Sequence, residues 1–371
     1  MRKMEHGGDW AGFQQEFGWE PLDFSANINP LGVPEGVCRA IARAAAKADR
    51  YPDPACRRLV HALAETEQVQ EDWILCGNGA ADLIFRAAAA LRPKRALLTA
   101  PGFSEYRCAL RSVDCRVEYI RLEEKNEFRL QPDILERITP EIDVLFLCEP
   151  NNPTGVTTDP DLLEQILRRC GRTGTRVILD ECFGDFLDQG ERHSARRYLG
   201  EMDHLLILKA FTKIYGMAGV RLGYCLCADS GLLARMREAG QPWAVSLLAE
   251  EAGLAALKEK EYRRKTELLI REERPWLYRR LEQLGLHPVR GEANYLLFRG
   301  SAALGEAMRS RGILIRDCSN YPGLEAPGGE KWYRTAVRSH GENERLAAGL
   351  AACLETENKA AQMLCSGGQT T

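Results

Sequence analysis

Apolar and polar positions alternate along this chain in two rhythms. Residues 35–48 (EGVCRAIARAAAKA) are Ala-rich and place apolar side chains at helical spacing. A short apolar run at 73–76 leads into Gly77-Asn78-Gly79, and residues 80–91 return to the helical period. The runs 95–101, 117–122, 143–150, 176–181 and 204–211 are strand-like, and the turn residues Asn151-Asn152-Pro153-Thr154-Gly155 stop the third of them. A helical segment over 160–171 comes next. Strand and helix alternating in this way predict an α/β domain with a largely parallel sheet. From about residue 231 the texture changes, and long, charged, amphipathic helical stretches run to about 285. Short strands follow at 294–299, 312–317 and 332–338, then a last helix over 343–357, so a second, smaller α+β domain is predicted. The resulting division is an N-terminal arm (1–34), a large domain (35–240), a small C-terminal domain (241–358) and a flexible tail (359–371).

A length of 371 residues agrees with about two domains and buries a large core without disulfide or metal staples. Apolar residues at 45% exclude a disordered chain. Fifty basic against 53 acidic side chains give a net charge of -3, which argues against a surface built to coat nucleic acid or an anionic membrane. No apolar run reaches the roughly 18 residues of a membrane-spanning helix. The start, MRKMEHGGDW, lacks the apolar stretch of a secretory signal. Thirteen scattered cysteines, with no C-x-x-C pair, offer no metal-ligand spacing and read as reduced, mostly buried thiols in a cytoplasmic protein.

Four motifs stand where strand-like runs end, the side of an open α/β sheet on which ligands bind. Gly77-Asn78-Gly79-Ala80-Ala81-Asp82 is either a plain turn or a set of backbone N–H groups at a helix N-terminus, ready to meet a phosphate. Asn151-Asn152-Pro153-Thr154-Gly155 is a turn that can also aim the Asn152 amide into a cleft. Asp180-Glu181-Cys182-Phe183 ends a buried strand, where a carboxylate needs a partner. That partner is a helix N-terminus, a basic side chain or a protonated heterocyclic nitrogen. In the segment from Thr212 to Tyr224, Lys213 sits among apolar and glycine neighbours. Partial burial there would lower its pKa and make it a usable amine nucleophile. Arg221, eight residues on, is placed to neutralise a phosphate. Together the motifs describe one ligand, a phosphorylated pyridine aldehyde bonded to a lysine.

In order and spacing, these motifs resemble the fold-type I pyridoxal 5′-phosphate enzymes, the aspartate aminotransferase superfamily, over nearly the whole chain. The resemblance implies that α/β fold, with a large, mostly parallel sheet and a smaller C-terminal domain, and it assigns roles. Lys213 would carry the cofactor covalently, Asp180 would pair with its pyridinium nitrogen, and Asn152 would hydrogen-bond its phenolic oxygen. Phe103, in Pro101-Gly102-Phe103-Ser104-Glu105-Tyr106, would stack on the ring. Gly79, Ala80, Ala81, Thr212 and Arg221 would hold the cofactor phosphate. Arg334, in Trp332-Tyr333-Arg334-Thr335-Ala336-Val337-Arg338, would bind a substrate α-carboxylate, with Asn27 and Asn152 beside it. Arg50-Tyr51-Pro52-Asp53-Pro54 looks like the superfamily segment whose tyrosine, here Tyr51, reaches the cofactor phosphate of the neighbouring subunit. That implies a homodimer with shared active sites.

Within the superfamily the chain is similar to histidinol-phosphate aminotransferases and to the L-threonine-O-3-phosphate decarboxylases of the cobalamin pathway. His6-Gly7-Gly8, the segment Asp23-Phe24-Ser25-Ala26-Asn27-Ile28-Asn29-Pro30-Leu31-Gly32 and the segment Ile315-Arg316-Asp317-Cys318-Ser319-Asn320-Tyr321-Pro322-Gly323-Leu324 look like the decarboxylases. Phe183 stands where the aminotransferases usually carry a tyrosine. The decarboxylase resemblance implies a small phosphorylated amino acid, O-phospho-L-threonine, converted to (R)-1-amino-2-propanol O-phosphate. Amino transfer and O-phospho-L-serine are the alternatives. His6, Gly7, Gly8, Arg316 and Arg338 are then the candidates for the substrate phosphate, with the N-terminal arm closing as a lid. One position departs from the families. Three residues before Lys213 they commonly place Ser or Thr on the cofactor phosphate, whereas this chain has Ala210, with Lys209 just before it. Either Lys209 compensates, or that phosphate is held less tightly.

Overall fold

A computed structural model describes residues 7–188 and 190–367. Among them the chain forms the strands β1 (Leu22–Asp23), β2 (Ile74–Gly77), β3 (Arg95–Ala100), β4 (Arg116–Arg121), β5 (Val144–Cys148) and β6 (Arg176–Asp180). It continues with β7 (Leu205–Ala210), β8 (Gly223–Leu226), β9 (Tyr295–Ser301), β10 (Ile313–Leu314), β11 (Arg316–Asp317) and β12 (Glu330–Ala336). Seven strands build the large sheet in the order β2-β8-β7-β6-β5-β3-β4. Its strands from β7 to β4 are parallel, and β8 runs antiparallel to both of its neighbours.

Both faces of this sheet are covered, which is why β5, β6 and β7 read as continuous apolar runs rather than as alternations. On one face Leu147, Leu179 and Ile207 pack with helices Arg57–Glu67, Pro160–Thr173 and Leu247–Ala256. On the other, Phe146, Ile178 and Leu208 pack with helices Gly79–Leu91, Ser104–Arg111 and Ser230–Glu238. The period of two along each strand carries on to the strand ends, where it sorts polar groups between the same two faces.

A smaller antiparallel sheet, β11-β12-β9, follows the helix Lys260–Gln283, and its register sets Arg316 opposite Arg334. The N-terminal segment is more structured than a plain arm. It holds the helix Trp10–Phe17, capped by the Asp9 carboxylate and ended by Gly18 in the left-handed region. Phe13 stacks on Phe17 at 4.5 Å and meets Trp19 edge-on at 5.0 Å, a local aromatic cluster that gives this short helix a core. β1 then pairs in parallel with β10, tying the N-terminal segment to the C-terminal part of the chain. The last helix runs His340–Gly367, well past 357, because Lys359 to Leu364 are good helix formers. Of the expected flexible tail, residues 359–367 are thus helical, and 368–371 lie outside the described residues. No helix among the described residues is long and apolar enough to cross a membrane.

Candidate active site

The last residues of β5, β6 and β7, Cys148, Asp180 and Ala210, wall a cavity of about 240 Å³. Glu149, Glu181 and Lys209, each one residue out of phase, face a second hollow of about 470 Å³ on the other side of the sheet. This parity decides the question raised at Ala210. The Lys209 ammonium lies 3.3 Å from Glu67 Oε1, away from the cavity. Burial alone would lower its pKa, but Glu67 and neighbouring carboxylates outweigh burial and hold it above its usual value. Lys209 therefore does not replace the missing hydroxyl.

An anion site forms at one end of the cavity. Helix Gly79–Leu91 begins there, and its N-cap residue, Asn78, makes no side-chain cap, so Ala80 and Ala81 bring free first-turn backbone to the wall. Gly79 has φ +79°, and a Cβ on it would stand 2.6 Å from Arg221 Nη2. Only glycine lets the guanidinium close on the helix end. Thr212 and Arg221 line the same cavity, and Arg221 donates to the Ala218 carbonyl at 3.3 Å.

Deeper in, Asp180 Oδ2 accepts the Tyr106 hydroxyl at 2.7 Å and Oδ1 accepts the Cys182 N–H at 3.0 Å. Lys213 lines the cavity, and burial, followed by the Arg334 charge, lowers its ammonium to about 8. Its Nζ lies 5.5 Å from the centre of the Phe183 ring. The Cys148 and Cys182 thiols are pushed well up by burial and stay protonated. Arg334, 6% exposed, donates from Nη1 to Asn152 Oδ1 and from Nη2 to the Ser25 carbonyl at 3.0 Å. With Oδ1 so occupied, the Asn152 amide group keeps its N–H donors for a ligand. Arg334 Nε has no hydrogen-bond partner, and neither polar atom of the Asn27 side chain, 2% exposed, has one. A buried polar group left unpaired costs about 1–3 kcal/mol, so this wall is built for a polar ligand. Arg316, opposite Arg334 across two strands and so on the same face, lines the cavity as well. Asn320 Oδ1, at 2.8 Å, and the Asp317 carbonyl, at 2.5 Å, accept from its guanidinium.

Most of the sequence-predicted residues thus meet at one cavity, and a few do not. Gly7 lines it, while Gly8 stands behind, its N–H donating to Ser25 Oγ at 2.8 Å. His6 lies outside the described residues. Arg338 is a correction: its Nη2 and Nε donate to Glu342 Oε1 at 2.7 and 3.0 Å, its Nη1 donates to the Asp23 carbonyl at 3.2 Å, and it does not line the cavity. Tyr51 is 81% exposed, its ring tilted 31° against Trp243 at 4.8 Å, and it is absent from the wall of its own chain's cavity. Sequence reasoning missed Tyr106, Ser25 and Tyr321. Tyr106 carried a signal, since it lies three residues after Phe103, the residue that caps the same helix. Ser25 carried none, because it acts through its backbone carbonyl.

The aminotransferase class I and II family matches residues 20–350 of this chain. The chain belongs to that family. Threonine-phosphate decarboxylase from Salmonella typhimurium is 42% identical over 352 residues, covering 93% of this chain and 95% of that protein. Among solved structures, the histidinol-phosphate aminotransferase from Clostridium acetobutylicum matches with a TM-score of 0.84 at 25% identity, over 90% of this chain and 99% of that one. The L-threonine-O-3-phosphate decarboxylase from Porphyromonas gingivalis matches with a TM-score of 0.79 at 25% identity, over the same shares. The fold is that of the fold-type I enzymes of this family, and the family's cofactor is pyridoxal 5′-phosphate. The donor set fits that group. A desolvated amine, a buried carboxylate, an amide and an aromatic face line one cavity, with an uncapped helix end, a hydroxyl and a guanidinium at its phosphate end.

Proposed function

We propose that this protein decarboxylates O-phospho-L-threonine to (R)-1-amino-2-propanol O-phosphate, in the cytoplasm and for cobalamin biosynthesis. The observation that carries this reading is the pair of buried guanidinium groups, Arg334 and Arg316, opposite each other on β12 and β11 at one cavity. A substrate with a carboxylate and a phosphate offers one anion to each. The 42% identity to a threonine-phosphate decarboxylase supports the same choice.

When bound, the cofactor supplies a protonated ring that accepts the electron pair released at the substrate Cα. Lys213 would hold the cofactor, Asp180 would face its ring nitrogen, Asn152 its phenolic oxygen and Phe103 its plane. Ala80, Ala81, Thr212 and Arg221 would take its phosphate, with Gly79 giving the room. Arg334, steadied by Asn152 and Ser25, binds the α-carboxylate together with Asn27. Arg316, steadied by Asn320, binds the substrate phosphate beside Gly7. Lys213, with an ammonium pKa near 8, returns a proton to Cα after carbon dioxide leaves. Phe103, Phe183 and Tyr321 line the cavity and keep water from the reacting carbon. In this reading the enzyme is a homodimer, and Tyr51 of each subunit reaches the cofactor phosphate of the other. Its exposure on the outside of its own chain supports that arrangement.

The test uses protein loaded with pyridoxal 5′-phosphate and given O-phospho-L-threonine with no keto acid. Carbon dioxide and the phosphorylated amine, followed by mass spectrometry, are the expected products. Their absence, with amino transfer from histidinol phosphate to 2-oxoglutarate instead, would overturn the reading. A preference for O-phospho-L-serine would move the substrate by one methyl group, which is worth only about 1–3 kcal/mol in a pocket.

A further inference from the structure

Tyr106 is 3% exposed and has no role in the chemistry above. Its hydroxyl donates to Asp180 Oδ2 at 2.7 Å, while the other carboxylate oxygen is fixed by the Cys182 N–H at 3.0 Å. The Tyr106 ring is stacked on Phe146 of β5, with centroids 5.2 Å apart and planes 27° apart. The same ring meets Phe103 edge-on, at 5.5 Å and 80°. One phenol therefore touches both the carboxylate facing the ring nitrogen and the aromatic facing the ring plane. Burial and the Asp180 charge push its own pKa well up, so it remains a neutral O–H donor.

We propose that Tyr106 is a positioning residue that sets the strength of the electron sink, by holding the Asp180 carboxylate aimed so that the cofactor's ring nitrogen keeps its proton. This rests on the cofactor assignment of the proposed function. A hydrogen bond donated to an ionised carboxylate favours the ionised form and is stronger than one between neutral groups. The phenol is held on its ring by Phe146 and Phe103, so the hydroxyl cannot turn away without losing that packing. A carboxylate so held in turn favours a protonated ring nitrogen, and the positive ring is the better acceptor of electrons from Cα.

Tyr106→Phe removes the hydroxyl and keeps the ring. Wild type and variant are loaded separately with pyridoxal 5′-phosphate and with its analogue in which carbon replaces the ring nitrogen. With the natural cofactor, the variant is expected to bind it about tenfold more weakly, to shift the pH titration of its absorbance band, and to lose about 10- to 100-fold in kcat with little change in KM. With the analogue, which gives Asp180 no nitrogen to pair with, the two proteins are expected to bind equally and to differ little in rate. Affinity and absorbance are read without substrate, so they test Tyr106 even if wild type fails to decarboxylate O-phospho-L-threonine. Equal losses with both cofactors, or a matching fall in the melting temperature of the cofactor-free chain, would reduce Tyr106 to a packing residue and overturn the proposal. No loss with either cofactor would overturn it as well.

Discussion

At position 210 a methyl group stands where a hydroxyl would donate to the cofactor phosphate, and the neighbouring ammonium is turned to Glu67 by the period of the strand. Ala210→Ser restores that donor on the cavity side. It is expected to tighten the cofactor about two- to tenfold, the worth of one added hydrogen bond, in an absorbance titration of the cofactor-free protein. Unchanged affinity would mean that the phosphate lies out of reach of β7. The residues that were legible in the sequence share a property. Lys213, Asp180, Asn152 and Arg334 each put a polar or charged group at the end or in the middle of an apolar run, where burial demands a partner. Arg316 and Arg338 look alike by that criterion and differ in space. The sequence did hold the distinguishing mark, because Glu342 lies four residues after Arg338 and pairs with it. The Tyr106 contact with Asp180 spans 74 positions, and no local pattern reports a contact of that kind.

The strands and helices with strong periodicity came through with small shifts at their ends, and the exceptions have physical reasons. β8 is only four residues long and follows directly on the lysine segment, so it offers no run of its own. Helix Ser104–Arg111 is masked by its polar face, with Tyr106, Ala109 and Leu110 as its buried residues. The end of β5 supports a prediction about pH. Glu149 follows that strand into the buried side of the sheet, where the Thr158 N–H donates to it at 2.8 Å. Burial raises its pKa from 4.5 to about 8. The unfolded chain releases this proton near 4.5, whereas the folded chain holds it until about 8. Between those values the folded state binds more protons, so this group makes stability fall as pH rises, and the fall levels off above 8. Glu149→Gln should remove that slope. Denaturant unfolding of both proteins across the range is expected to show the stability difference moving in favour of the variant with rising pH. A constant difference would place the ionisation elsewhere.

At the scale of the whole molecule, the proposed cross-subunit role of Tyr51 makes a quantitative prediction. Lys213→Ala and Tyr51→Ala each damage the site, but in a mixed dimer one site receives both intact residues. If random mixing makes half the dimers mixed, about a quarter of all sites are restored. Decarboxylation by refolded mixtures measures this, and no recovery would mean that Tyr51 serves its own chain. The sequence made the large sheet and the small one legible as units. It did not show that β1 pairs with β10, or that the Ser25 carbonyl accepts from Arg334 across 309 positions. That pairing bears on the order in which the enzyme comes into being. A chain made from its N-terminus has released the side chains assigned to the cofactor by Arg221, and it makes Arg316 and Arg334 last. Gly7 and Ser25, the first cavity residues to be made, must wait for them. The half of the cavity assigned to the substrate is therefore completed only after β11 and β12 have been made. A chain cut short after β8 carries the amine assigned to the cofactor and lacks both guanidinium groups assigned to the substrate.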